Sequence, residues 1–107
     1  MAIKNTAIPA TTNTAIYTSS GDNAITTIIV CNTDLSASRT LTLYAVENAG
    51  GSVGSPVVGN MIVQTLTVPP GDTISFDQEK MVLSNNDTIV AYASATGLTA
   101  TVSTLPV

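Results

Sequence analysis

Seven carboxylates, one thiol and three phenols are the side chains of this sequence with the means to do chemistry. Histidine is absent, which removes the commonest general base and the commonest metal ligand together. Two carboxylates alone can still cleave a glycosidic bond, one as acid and the other as base or nucleophile. Here they fall mostly beside turn residues: Asp22 follows Gly21, Asp72 follows Gly71 and Asp87 follows Asn86. An Asp in such a place hydrogen-bonds its own backbone and holds the turn. Asp34, Asp72 and Asp87 would bind calcium only if loops gathered them, and their spacing does not resemble a calcium loop. Cys31 lies in an apolar run with no basic neighbour in sequence to activate it. It is expected as a buried small hydrophobe. Tyr17, Tyr44 and Tyr92 would stack on sugar rings if they converged, but they sit on separate segments without a tryptophan, as ordinary strand tyrosines do. The expectation is a protein without catalytic residues, cofactor or metal site.

Charge narrows the partners. Three Lys/Arg stand against seven Asp/Glu, a net charge of −4. So few cations cannot grip phosphates through counterion release, so no nucleic-acid partner is expected. Only 9% of the 107 residues are charged, far below the roughly 25% of an ordinary soluble domain. Threonine (18) and serine (10) fill that space. A hydrophobic share of 44% with little charge is the opposite of a disordered composition. No run approaches the roughly 20 apolar residues of a membrane span, and residues 1–10 lack the apolar core of a signal peptide. No membrane partner is expected, and the length suits one domain.

The elements that must carry these residues are strands. Short segments rich in Ile, Val and Thr are separated by turn residues, and no window holds a helical period. Residues 1–13 contain Pro9, have no period and read as an extended N-terminal arm. Strands are expected at 14–18, 24–32, 39–46, 61–68, 73–77, 81–83, 87–94 and 99–105. Pro69-Pro70-Gly71-Asp72 fits a type II turn, with Gly71 supplying the positive φ. Gln78 to Lys80 reads as a polar corner. Asn48 to Asn60, rich in Gly and Ser, is long for a hairpin connection, and such loops are usually functional or mobile. Seven or eight short strands in residues 14–107 predict an all-β domain, an antiparallel β-sandwich or jelly-roll-like barrel.

Simple alternation predicts the core. Ile25, Ile29, Leu41, Leu43, Leu66, Ile74, Phe76, Leu83, Ile89, Ala91 and Val102 should point inward. With one Phe and no Trp, this core is thin, and an oligomer interface would add buried area. The outward Thr/Ser positions read first as a solvated β-face; their scarcity of charge also suits a packing face against copies of the chain or a larger scaffold. Charged side chains are what keep sheets from pairing with other chains, and interface cores are depleted in them.

The run Tyr17-Thr18, Ala24 to Thr33 ending Cys31-Asn32-Thr33, and Thr40-Leu41-Thr42-Leu43-Tyr44 resembles a known group. It continues with Val68-Pro69-Pro70-Gly71-Asp72-Thr73, Asn86-Asp87-Thr88-Ile89 and Ala93-Ser94. Over roughly residues 17–103 the order is similar to that of the small all-β virion proteins of tailed bacteriophages. Many of those have glycine where Asn86 stands, and Asn also tolerates a left-handed turn. The resemblance implies a non-enzymatic virion structural protein, a capsid decoration or cement protein first. Tail, baseplate or fibre-attachment roles are the alternative, and a host-glycan-binding module a further one. It implies location in the virion, partners among other virion proteins such as the major capsid protein, and no catalytic residues. A homo-oligomer is expected, a trimer for preference. The contact elements would be the arm and the Gly/Ser loop, with Ile3, Ile8, Pro9, Val53, Pro56, Val57, Val58 and Met61 at the interface.

Overall fold

The computed structural model describes residues 2–76 and 81–107. The expected polar corner at 78–80 lies outside them. Nine strands are described: β1 (Ala2–Ala7), β2 (Thr14–Thr18), β3 (Asn23–Asn32), β4 (Arg39–Val46), β5 (Met61–Val68), β6 (Thr73–Phe76), β7 (Met81–Leu83), β8 (Thr88–Ala93) and β9 (Leu98–Pro106). One 3-10 turn, Val58–Asn60, precedes β5. The expected strand positions are met to within two residues. The expected arm runs as β1, so its first half belongs to a sheet.

Two antiparallel sheets face each other. One has the order β1-β9-β3-β6, with β7 also paired to β3; the other is β2-β8-β4-β5. Successive strands from β1 to β5 alternate between sheets except at the β4–β5 hairpin. This is jelly-roll winding in two open sheets, without a closed barrel. After β1 the chain crosses between the sheets. Ile8 N–H donates to the Leu98 carbonyl at 2.9 Å, and Thr11 N–H to that of Ala93 at 2.9 Å.

The core is aliphatic. Ile16, Ile25, Ile28, Val30, Leu41, Leu43, Val68, Ile89, Leu98 and Val102 are all at most 2% exposed. Ile74 and Phe76 pack against it, half-buried. Seven of the residues expected inside are buried, and Leu66 is half-buried. Ile29 is the exception, at 38% exposure, while its neighbour Ile28 is at 1%. The cause is a β-bulge in β3. Ile25 faces Thr104 and Thr27 faces Ser103, so Thr26 is an extra residue. Its hydroxyl donates to the Ser103 carbonyl at 3.1 Å. One inserted residue exchanges the two faces of everything after it. Ile28, Val30 and Asn32 therefore turn inward, and Ile29 and Cys31 turn outward. Cys31, expected to be buried, is half-exposed for that reason.

Polar side chains close both ends of the sandwich. At one end Asn32, fully buried, has its Nδ2 within 2.9, 3.1 and 3.3 Å of the Ala37, Val68 and Pro69 carbonyls. Its Oδ1 accepts from Asp34 N–H at 3.0 Å. At the other end Ser19 and Asn23 are bonded to each other at 3.0 Å, and both are buried. The Pro69–Asp72 turn has the expected form: Asp72 N–H donates to the Pro69 carbonyl at 3.1 Å, and Gly71 has φ 69°.

Candidate functional site

Two of the carboxylates, Asp34 and Asp87, are occupied in holding turns. Asp34 accepts from Ser36 N–H at 2.8 Å, Ser36 hydroxyl at 2.9 Å and Ala37 N–H at 3.2 Å, and pairs with Arg39 at 2.7 Å. The Ser36 bonds, more than the Arg39 charge, hold its carboxyl below the ordinary value. Asp87 accepts from Asn48 N–H and side-chain amide at 2.8 and 2.9 Å, and from Ser84 N–H at 2.8 Å. The Asn48 backbone bond leads in pushing its carboxyl down as well. Glu47 and Asp87 line one cavity of about 310 Å³. A general acid there would need a raised carboxyl, and that of Asp87 is lowered. Another cavity, about 360 Å³, is lined by Ile28, Leu43, Ile62, Val63, Phe76 and Met81, with no titratable group among them.

The calcium candidates separate. Asp34 and Asp72 lie at the Asn32 end, where Gly71 N–H donates to the Asp34 carbonyl and Asn32 N–H to that of Asp72. Asp87 lies at the opposite end, beside Ser19. Among the described residues no three His, Cys, Asp or Glu gather around one point. The tyrosines divide too. Tyr44 pairs with Val90 and Thr42 with Tyr92, so Tyr44 and Tyr92 are diagonal neighbours on the outer face of the second sheet. Tyr17 pairs with Ile89 and packs against the core.

Among the described residues, the outer face of the first sheet carries no charged side chain. The register places Ala7, Thr99, Cys31 and Thr73 in one row, and Asn5, Thr101, Ile29 and Ser75 in the next. Ile3, Ser103 and Thr27 follow, and beyond the bulge come Leu105, Ala24 and Val82. None of these carries a charge. The described charges sit in loops and at strand starts, apart from Lys4, which the β1 register places on the inner side opposite Val102. Ile3 and Val82 are each 68% exposed and Leu105 43%. Thr101 donates to Asn5 Oδ1 at 2.9 Å, so part of the hydroxyl array is bonded within the face. Strand spacing makes four strands roughly 15 Å wide.

The expected interface residues are scattered by comparison. Ile3 belongs to this face. Ile8 is in the core at 2% exposure, and Pro9 is exposed at the crossing between sheets. Val53, Val57 and Val58 are exposed on the 48–60 loop, while Pro56 and Met61 are half-buried. That loop is folded by its own asparagines. Asn60 accepts from Val57 N–H at 2.9 Å and donates to the Ser55 carbonyl at 3.0 Å; Asn48 accepts from Gly51 N–H at 3.0 Å. The uncharged face was hidden from simple alternation by the bulge, though the outward Thr99, Thr101 and Ser103 were legible.

No family model matches the chain, and no curated protein or solved structure matches it either.

Proposed function

We propose that this chain is a non-enzymatic structural protein of a tailed-phage virion, a decoration or cement protein that binds the assembled shell as a homo-oligomer. The observation that carries the reading is the Thr/Ser face of the first sheet, whose described residues include none of the charges that keep a sheet from pairing with other chains. The sequence resemblance over residues 17–103 supports it. Jelly-roll winding is used by viral capsid and lectin domains, which is an analogy of fold. A face about 15 Å by 20 Å offers roughly 300 Å², well under the ~800 Å² per partner of a standard interface. Each contact would be weak alone and sufficient when a symmetric shell repeats it.

Deleting residues 1–13 is a poor test, because it removes an edge strand and the core residue Ile8. Quantitative mass spectrometry of purified virions, scaled to the major capsid protein, is the direct one. A copy number comparable with the capsid protein supports shell decoration. A small multiple of three or six moves the protein to the tail or baseplate. Its absence from virions overturns the reading. A tail, baseplate or fibre-attachment role is the alternative; host-glycan binding is a further one, favoured by the Tyr44–Tyr92 diagonal, and a glycan array with no signal removes it.

A further inference from the structure

The sandwich ends in open strand edges, and they are not alike. In the second sheet, β5 departs from regular pairing twice, and its Thr65 has φ 45°. At the other edge of that sheet, β2 carries a bulge between Ala15 and Tyr17. Among the described residues the far edge of the first sheet is divided between β6, of four residues, and β7, of three. Bulges, short strands and charged side chains are the usual means by which an edge is kept from pairing with another chain. β1 has no bulge and is not short; its one guard is Lys4. Its six residues run against β9 in unbroken register, Ala2 opposite Thr104 to Ala7 opposite Thr99. Its residues are exposed except for Thr6.

The direction of its free backbone groups follows from one bond. Ile8 N–H donates to the Leu98 carbonyl, so Ile8 turns its backbone toward β9. Alternation then turns Thr6, Lys4 and Ala2 toward β9, and Ala7, Asn5 and Ile3 away from it. The outward groups belong to residues whose side chains lie on the uncharged face.

We propose that β1 is where two copies of this chain meet, by antiparallel β1–β1 pairing about a two-fold axis at Asn5. The register follows from charge and reach. For the two uncharged faces to continue one another, the axis must pass through a residue rather than between two. An axis at Lys4 sets the two ammonium groups directly opposite, which is unfavourable. An axis at Thr6 sets Ile3 against Pro9, which has no N–H to give. An axis at Asn5 sets Lys4 opposite Thr6, and pairs Ile3 with Ala7 and Asn5 with its own copy. All outward N–H and carbonyl groups of β1 are then used. The contact is isologous and closes on itself as a dimer. It gives the homo-oligomer of the proposed function a pairing of two in place of the expected trimer. It rests on that oligomer and not on the virion assignment.

Sedimentation of the purified chain over a wide concentration range reads the contact. Asn5→Pro removes an N–H that the β9 ladder does not use, so the monomer keeps its sheet. The expected result is a dimer whose dissociation constant rises at least about ten-fold in Asn5→Pro, with an unchanged far-UV spectrum. In a Cys31→Ser background, Asn5→Cys places two thiols on residues about 5.5 Å apart at Cα, within disulfide reach. It should cross-link on mild oxidation, and Lys4→Cys should not. A monomer at all concentrations, a trimer, or a dimer that Asn5→Pro leaves intact overturns the contact. Cross-linking through Lys4→Cys but not Asn5→Cys overturns the register. If Asn5→Pro does not fold, the two cysteine variants decide. Virion composition, measured separately, bears on the other reading alone.

Discussion

Ile28 and Ile29 offer a direct test of the bulge at Thr26. Truncating either to alanine removes the same three carbons from adjacent residues of β3. At about 0.8 kcal/mol per buried methylene, full burial makes the transfer loss about 2.4 kcal/mol. Ile28, 1% exposed, also leaves a cavity between the sheets, which brings the loss to about 3.5 kcal/mol. Ile29 is 38% exposed, so roughly six-tenths of the transfer loss applies and the space opens to solvent. Its loss is about 1.5 kcal/mol. An unfolding entropy near 2.1 cal/mol/K per residue gives about 0.22 kcal/mol/K for 107 residues. The melting temperature should fall by about 16 °C for Ile28→Ala and about 7 °C for Ile29→Ala. Circular dichroism melts with urea titrations at 25 °C measure both. Equal losses, or a larger loss at Ile29, would mean that β3 runs in plain alternation and that the outer face has been assigned the wrong residues.

Asn32→Ala should cost about 3 kcal/mol by urea titration. The two hydrogens of its amide and one accepted bond are lost inside the protein, and Asn32→Leu should not recover the loss because the same backbone groups stay unpaired. Acid should destabilise the fold. Asp34 and Asp87 have carboxyls lowered in the folded state, so the unfolded chain takes up protons first. Their contribution is complete above the unfolded value of about 3.9 and is lost as pH falls through the lower folded values. Without histidine, stability should be nearly flat from about pH 5 to 8. Asp87→Asn should soften the acid limb of a stability profile, and an unchanged limb would refute the role given to its turn bonds.

Most of the architecture was legible because β-branched runs and turn residues act locally. The 39–46 and 61–68 strands were bounded by composition, and Gly71 and Asn86 marked turns that require positive φ, here 69° and 68°. Two things were not legible. Thr26 is one threonine among many, and nothing in its neighbours marks it as the inserted residue; only the pairing of β3 with β9 does. Residues 1–13 lack alternation because Lys4 and Asn5 lie on an edge strand with little to bury, so their partner, nearly a hundred residues away, is what makes them a strand. The site shared both blind spots. Outward Thr99, Thr101 and Ser103 were readable from period, but the neighbours that complete the face, Ile29 and Cys31 on β3 and Ile3 on β1, depended on that bulge and that pairing.

The place of β9 sets the order in which this protein can be made. β9, the last of the described strands, lies between β1 and β3, in the middle of the first sheet. A growing chain on the ribosome has both neighbours in hand long before the strand that joins them. Ala100 and Val102, which fill the core from β9, arrive after most of the residues they cover. The first sheet therefore cannot close until residues 98–106 have been made, and the cost of closing a loop of nearly a hundred residues falls before any of its central pairing is gained. Slow folding is the expected kinetics. A chain cut short within β9 would lack the centre of a sheet instead of its margin, and would have no partial fold to fall back on.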